Sequence, residues 1–350
     1  MSVIIPARNE EACLGACLES MVSQDGVKSE IILVDDASTD RTREIARAFP
    51  SVCLVDAGPP PPGWTGKNNA MAAGARAARG EWLLFTDADT VHKPGSLARA
   101  LAEARQRGVA LLSYSPEQEV HSVWERAIMP VIFGELAATY RPSQVSDPRS
   151  HAAAANGQYI LISREGYDPV GGHAAVHRSL LEDVELARVV KASGNKIFFR
   201  NGADAVRTRM YRSFAQLREG WTKNLALLFP APSRLAVLRL TEFLLITGGF
   251  IAAIATGLRG HIKPAVAAAI PAAVVYGFSL NRVRKAHFSW QANALSVLGL
   301  PLFSYLLFRS ALSYKKGSVR WKGRDYEAST NQVGADALVR PAERSSALGS

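Results

Sequence analysis

Carboxylates recur in this 350-residue chain at points where apolar, β-like runs end. Glu30–Val34 (EIILV) runs into Asp35-Asp36, with Asp40 shortly after, and Trp82–Thr86 (WLLFT) runs into Asp87-Ala88-Asp89. Ligands of open α/β sheets collect beyond the carboxyl ends of the strands, so acids placed there meet bound molecules. Two carboxylates spaced Asp-x-Asp can hold one hard divalent cation while a ligand's phosphates complete its oxygen shell. A lone Asp-x-Asp also describes a plain turn, because Asp bonds its own backbone there. Glu182-Asp183 opens a helical run, LLEDVELARVV, where acids also complement the helix dipole. His173 and His177, four apart and just upstream, read as hydrogen-bonding or exposed histidines rather than metal ligands. Neither GxxxxGK[ST] nor GxGxxG occurs, which argues against an NTPase or a dinucleotide enzyme. Three cysteines without CxxC spacing exclude a disulfide framework and a cysteine zinc site.

The elements that must position these groups alternate as an α/β domain requires. Strands are expected at Val3–Pro6, Glu30–Val34, Val52–Val55, Trp82–Thr86, Ala110–Ser113, Gln158–Ser163 and Lys196–Arg200. Helices are expected at Glu10–Val22, at Thr39–Phe49 with Ser38 or Thr39 as cap, at Lys67–Ala78, from Pro94 to Gln106, and at Leu180–Ala192. The run Gly58-Pro-Pro-Pro-Pro-Gly63 is a stiff loop.

Taken as an ordered set, Ile5-Pro6-Ala7-Arg8-Asn9-Glu10, Val34-Asp35-Asp36-Ala37-Ser38-Thr39-Asp40, Gly66-Lys67 and Phe85-Thr86-Asp87-Ala88-Asp89 resemble the family 2 glycosyltransferases, inverting enzymes of the GT-A fold. The resemblance covers about residues 2–225 and implies an α/β, Rossmann-like domain of the nucleotide-diphospho-sugar transferase type. It implies that Pro6, Asn9 and Glu10 wall a nucleotide site and that Asp36 accepts a hydrogen bond from uracil. Lys67 would lie near the ribose or diphosphate. Asp87 and Asp89 would bind Mg²⁺ or Mn²⁺ bridging the diphosphate of a UDP-sugar. Glu182-Asp183 matches the family's acidic pair, which makes Asp183 the expected general base. A narrower similarity, to membrane glycosyltransferases of hopanoid and carotenoid pathways, rests on Gly63-Trp64-Thr65-Gly66-Lys67, Asn156-Gly157-Gln158, Gly171-Gly172-His173, Arg209-Met210-Tyr211-Arg212, Gly220-Trp221-Thr222-Lys223-Asn224 and Trp321-Lys322-Gly323-Arg324-Asp325-Tyr326. It assigns Arg209 to the diphosphate and places Trp64, Asn156, Gly157, Glu182 and Trp221 on the acceptor side. Gln216-Leu217-Arg218-Glu219-Gly220-Trp221 departs from the QxxRW motif of processive synthases, which favours a single transfer. A processive synthase and a non-catalytic nucleotide-sugar-binding protein are the alternatives.

Charge is unevenly spread. Residues 1–234 carry 27 basic and 26 acidic side chains, whereas 235–312 carry seven and one. Of the net charge of +10, +6 lies in the part with the long apolar runs and +3 in the residues after it, which reads as membrane topology and not as a nucleic-acid face. Those runs are Leu240–Leu258, Pro264–Leu280 and Phe288–Phe308. The expected organisation is a catalytic domain over 1–234, a membrane region over 235–312, and a basic motif with a disordered tail over 313–350. The expected setting is a multi-pass inner-membrane protein with its catalytic domain in the cytoplasm and a lipid acceptor. Three full crossings would put Lys315, Lys316, Arg320, Lys322 and Arg324 outside, against the positive-inside tendency. Either one run is re-entrant or interfacial, or the tail is an exception. Ser122–Ala138 is likewise open between an interfacial and a core helix.

Overall fold

The computed structural model describes residues 1–327. Its strands are β1 (Ser2–Ala7), β2 (Glu30–Asp35), β3 (Val52–Asp56), β4 (Trp82–Phe85), β5 (Thr90–His92), β6 (Leu111–Ser115), β7 (Glu117–Gln118), β8 (Ile160–Ser163), β9 (Ile197–Asn201), β10 (Val206–Thr208), β11 (Ser318–Trp321) and β12 (Arg324–Glu327). Its helices are α1 (Leu14–Val22), α2 (Thr42–Arg47), α3 (Gly66–Ala77), α4 (Ser96–Arg107), α5 (Val123–Thr139), α6 (Pro142–Val145), α7 (Arg164–Tyr167), α8 (Gly172–Ala175), α9 (Glu182–Ala192), α10 (Phe214–Leu228), α11 (Pro232–Leu258), α12 (Ile262–Val283), α13 (Trp290–Leu295) and α14 (Leu300–Lys315).

Two compact units emerge, and the chain passes between them more than once. Among the described residues the first takes 1–119 and 142–210, and the second takes 120–141 together with 211–327. This differs from a boundary at residue 234, because α5 and α10 group with the apolar helices instead of with the sheet.

In the first unit a seven-stranded sheet runs in the order β3-β2-β1-β4-β8-β6-β9. Strands β1 to β4 are mutually parallel, β8 is antiparallel to both its neighbours, and β9 returns parallel to β6. Successive strands lie to one side of β1 and then to the other, so β1 and β4 flank a switch point with Asp87 just past its end. Runs such as Val3-Ile4-Ile5 and Leu83-Leu84-Phe85 have no polar alternation because both faces of the sheet are covered, and all six side chains are fully buried. Helix α3 approaches closest: a Cβ on Gly74 would collide with Ile4 and Val34. A second sheet, β5-β10-β7, lies against the same strand ends. Two expected elements shift. Helix α1 starts at Leu14, after a turn through Glu10–Cys13, and α2 starts at Thr42 without a side-chain cap, because Ser38 and Thr39 bond the loop after β1 instead.

In the second unit α11, α12 and the α13–α14 segment are each long and apolar enough to cross a membrane. Helix α5 buries Ala127–Ile132 against α13 and the 3₁₀ turn Ser296–Gly299, which makes it a packed helix. Its Glu135 joins Arg239, Glu242 and Arg282 in a closed ring of ion pairs of 2.5–2.7 Å. Strands β11 and β12 form a hairpin through Lys322-Gly323 within the basic motif; the expected disorder after Ala328 lies outside the described residues.

Candidate active site

Two loops at the carboxyl ends of β1 and β2 are sewn together. Asn9 Oδ1 accepts the Thr39 N–H at 2.8 Å, Ser38 Oγ accepts the Asn9 N–H at 3.0 Å, and Thr42 Oγ1 accepts the Glu10 N–H at 2.8 Å. Asn9 and Ala37 adopt φ near +54° and +55°, a left-handed conformation that non-glycine residues hold only when the surroundings over-determine it. Pro6 lies within β1 opposite Val34, and Asp36 is buried beside it, its N–H donating to Ala7 O at 2.8 Å and its carbonyl accepting from Arg8. Asp35 has a structural partner, Arg43, which also holds Asp56.

Helix α3 carries the central cation. Thr65 caps its N-terminus by accepting the Asn68 N–H, and Asn68 Nδ2 donates to the carbonyls of Val176, His177 and Ser179 at 3.0–3.2 Å. That latch brings the start of α3 against the loop leading into α9. Lys67 Nζ consequently lies 2.8 Å from Asp87 Oδ1 and 2.8 Å from Glu182 Oε1. Burial alone would lower the lysine's proton affinity, but the Asp87 and Glu182 carboxylates outweigh it and hold it well above the usual range. Asp183, on the first turn of α9, accepts the Gly157 N–H at 2.9 Å and the Val184 N–H at 2.8 Å. Burial, and then the charge of Glu182, push its carboxyl up to about 6 against the pull of Lys67. At Gly157 a Cβ would stand 3.3 Å from Lys67 Nζ and 3.5 Å from Asp183 Oδ2, so a side chain there would crowd both. Asn156 Oδ1 accepts the Gln158 N–H at 3.0 Å and so shapes the turn that presents Gly157.

The Asp87-Ala88-Asp89 turn is held from below by a buried polar cluster. Thr86 Oγ1 donates to Gln158 O at 2.8 Å and meets His92 Nε2 at 3.0 Å, and Thr90 Oγ1 donates to Asp87 O at 2.7 Å. Burial drops the His92 pKa to about 3, so this histidine is a neutral strut. Thr208 Oγ1 donates to Asp89 O at 3.1 Å, and Arg209 follows it directly in the chain, one residue from the turn. Trp64 packs on the His177 ring, with centroids 5.1 Å apart. His173 is buried against Phe85 and bonds the Tyr167 hydroxyl through Nδ1, with its pKa lowered by burial to about 3. Trp221 belongs to the second unit, buried there between Phe133 and Tyr211. Sequence reasoning missed Asn68 and Thr208, whose roles are hydrogen bonds to distant segments that leave no mark on spacing, and quoted Thr65 and Gln158 only within motifs, without the local cap of the one or the carbonyl that the other offers Thr86.

Among the described residues no cluster of three or more His, Cys, Asp or Glu is set to hold a metal unaided. Asp87 and Asp89 on one turn supply hard carboxylate oxygens, a donor set suited to a divalent cation whose other ligands come from a diphosphate.

The model of the family described as glycosyl transferase family 2 matches residues 2–184. The chain belongs to that family. It is a glycosyltransferase of GT-A architecture, as its sheet order and strand-end acids display. It is 29% identical over 347 residues to a 4,4'-diaponeurosporenoate glycosyltransferase of Staphylococcus aureus (strain USA300), covering 95% of this chain and 89% of that protein. The counterpart from strain MRSA252 is 30% identical over 349 residues, with the same coverage. Among solved structures, the mannosyltransferase PcManGT from Pyrobaculum calidifontis in complex with GDP-Man and Mn²⁺ is 18% identical, covering 89% of this chain and 86% of that one at a TM-score of 0.49. Staphylococcus aureus TarS in complex with UDP-GlcNAc is 16% identical, covering 94% and 97% at 0.44.

Proposed function

We propose that this glycosyltransferase moves a single sugar from a nucleotide-linked donor, a UDP-sugar by the family resemblance, to a carotenoid-type lipid, with inversion. The observation that carries the reading is the junction of Lys67, Asp87, Glu182 and Asp183, which joins a donor-side acid to an acceptor-side acid within one ionic contact of each other. Displacement at an anomeric carbon needs the attacking hydroxyl deprotonated as it attacks, and a carboxylate with a pKa of about 6 is ionised at neutral pH yet basic enough to take that proton. Gly157 and Val184 hold that carboxylate by both oxygens, fixing its direction. Lys67 places positive charge beside Asp87, where a departing diphosphate would accumulate negative charge. Asp87 and Asp89 would hold a divalent cation, Mg²⁺ or Mn²⁺, which when bound neutralises the diphosphate as a Lewis acid. Asp36 would receive the base of the nucleotide, between the loops that Asn9 and Glu10 close, and Arg209 would reach the diphosphate. Trp64, with Asn156, Gly157 and Glu182, would border the acceptor.

The relative's name supports a carotenoid-type acceptor, attacking through a hydroxyl or a carboxylate, and the apolar helices support one that dissolves in a membrane. A nucleotide sugar made in the cytoplasm would be met by a catalytic unit on the cytoplasmic side of the inner membrane. The departure from QxxRW supports one transfer per acceptor instead of polymerisation. The test uses the purified full chain in membrane lipid extract with labelled UDP-glucose and Mg²⁺ or Mn²⁺. Organic-extractable label, abolished by Asp89→Ala, is the expected result. Labelled insoluble polymer would replace the reading with the synthase. UDP binding with no transfer to any extract or carotenoid acid would overturn it.

A further inference from the structure

Asp87 and Asp89 stand on one turn and Asp183 is gripped by another, residues 156–158, yet a single chain of hydrogen bonds runs under both. Gly157 donates its N–H to Asp183 at 2.9 Å, and Gln158 follows it. Gln158 bonds in two directions. Its carbonyl accepts the Thr86 hydroxyl at 2.8 Å, and its Nε2 donates to Thr208 Oγ1 at 3.3 Å. Thr208 gives its own hydrogen to Asp89 O at 3.1 Å, which leaves its oxygen to accept, so the bonds point one way from Gln158 to Asp89. The second sheet makes this meeting possible. Thr90 and His92 are two apart on β5 and so face the same way, and Thr208 lies opposite Thr90 on β10.

The other branch fixes a tautomer. Each threonine hydroxyl has one hydrogen to give. Thr86 gives its hydrogen to Gln158 O, and Thr90 gives its to Asp87 O at 2.7 Å, although the two oxygens lie 3.0 Å apart. Two acceptor oxygens that close need a donor between them. His92 Nε2, 3.0 Å from Thr86 Oγ1 and 3.3 Å from Thr90 Oγ1, is that donor, so the neutral ring has its hydrogen on Nε2. Nδ1 is then an acceptor, and among the described residues no donor meets it. Thr86, Thr90, His92, Gln158 and Thr208 are all at most 5% exposed, so the path from Asp87 through Gln158 to Asp89 lies inside the unit.

We propose that Gln158 is a positioning residue that locks the Asp87–Asp89 turn to the turn presenting Gly157, with the Nε2–H tautomer of His92 closing the lock between Thr86 and Thr90. The carbonyls at both ends of Asp87-Ala88-Asp89 and the N–H that directs Asp183 are then tied through one residue. The donor-side acids and the base keep their separation because neither turn can shift without stretching bonds of the other. This role rests on the sugar-transfer reading, in which Asp87 and Asp89 hold a divalent cation and Asp183 is the base.

The test follows the purified full chain in detergent by two readouts. Calorimetry measures how much Mn²⁺ tightens UDP binding, which needs no turnover, and the pH profile of kcat/KM with a hydroxyl acceptor reports the acidic limb of Asp183. Gln158→Leu and Thr208→Val break the same link from its two ends. Each should cut the Mn²⁺-dependent gain about tenfold, the usual effect of losing a group that orients a metal ligand. Burial raises the Asp183 pKa and the Gly157 N–H opposes that rise, so a loosened turn should also move the acidic limb to higher pH. Thr208→Ser, which restores the hydroxyl, should keep both readings near wild type. His92→Gln sets an amide nitrogen where Nε2 stands and should do the same, whereas His92→Asn reaches only the Nδ1 position and should fail like His92→Leu. A lowered thermal midpoint with both readings unchanged would reduce Gln158 to a structural role and overturn the proposal. So would movement of one reading without the other, which would show two independent turns. Rescue by His92→Asn in place of His92→Gln would overturn the tautomer. A wild type that gains UDP affinity from Mn²⁺ but transfers no sugar would instead fail the transfer reading, and the calorimetric arm would still decide the link to Asp89.

Discussion

Each unit holds a knot of ion pairs, and the two are built on different charge rules. In the second unit Glu135 and Glu242 face Arg239 and Arg282, two against two, with every one of the four side chains at least 84% buried. In the first, Asp87 and Glu182 meet on Lys67, with Asp183 beside them. A neutral ring has nothing to gain from a further ion and serves to tie α5, α11 and α12 together. Three carboxylates near one ammonium leave unspent negative charge, which favours holding a proton. The first knot is thus suited to chemistry and the second to architecture, and substitutions in each should fail in different ways.

The largest effect is expected at Asp183. With a hydroxyl acceptor, Asp183→Asn should lower turnover by about 10²–10⁴-fold, the usual worth of a positioned general base, with donor binding and thermal midpoint little changed. A carboxylic acid acceptor is ionised before it binds and has no proton to surrender, so the same variant should then retain much of its rate. Label transfer to a paired polyene alcohol and polyene acid separates the two cases. In the other knot, Glu242→Ala should leave two arginines under-compensated and destabilise the second unit by about 3–5 kcal/mol, read by thermal unfolding in detergent. A joint Glu242→Leu, Arg282→Met replacement should recover much of that loss, because removing both partners leaves no stranded charge. If Glu242→Ala instead abolished donor binding while the protein stayed folded, the division of labour between the knots would be wrong.

The contrast was partly legible from residues alone. Asp87, Asp89 and Glu182-Asp183 stand at a strand end or a helix start, where such acids are also ordinary turn and helix-start residues, so their roles and that of Lys67 were legible only through the ordered motifs that resemble family 2 glycosyltransferases. Their pairing was not, since Lys67 and Glu182 lie far apart in the chain and meet through Asn68, a residue that looks like ordinary helix surface. The apolar segments were visible as runs, but the packing of the third rests on Thr222 holding Arg309 and Ser310 and on Gly299 against the Ala127 carbonyl, contacts that a run of apolar residues does not announce. Helix α5 illustrates the limit: its composition suits a lipid surface and a protein core equally, and only its partners decide.

Acidity offers a finer probe of the first knot. Asp183 has a folded pKa raised to about 6, so it is protonated below that pH and activity with a hydroxyl acceptor should fall as pH drops through about 6. Glu182 contributes to the rise through its charge, so Glu182→Gln should move this acidic limb to lower pH. Lys67 opposes the rise, so Lys67→Met should move it to higher pH. Opposite displacements in the pH profile of kcat/KM support the assignment; movement in the same direction would mean that the limb belongs to another group.

The smallest effect concerns the hydrogen bonds that hold Lys67 in place. Thr65→Ala removes the acceptor that caps α3 and should cost about 1 kcal/mol of stability, the ordinary worth of such a cap. The latch formed by Asn68 to Val176, His177 and Ser179 persists in that variant, so Lys67 should keep both carboxylates and the acidic limb should stay where it is. Asn68→Ala removes the latch while leaving the cap, and the acidic limb should then follow that of Lys67→Met even if stability changes little. A limb that moves with Thr65→Ala and not with Asn68→Ala would show that the helix start, and not its tether to the loop before α9, sets the ion pairs of the site.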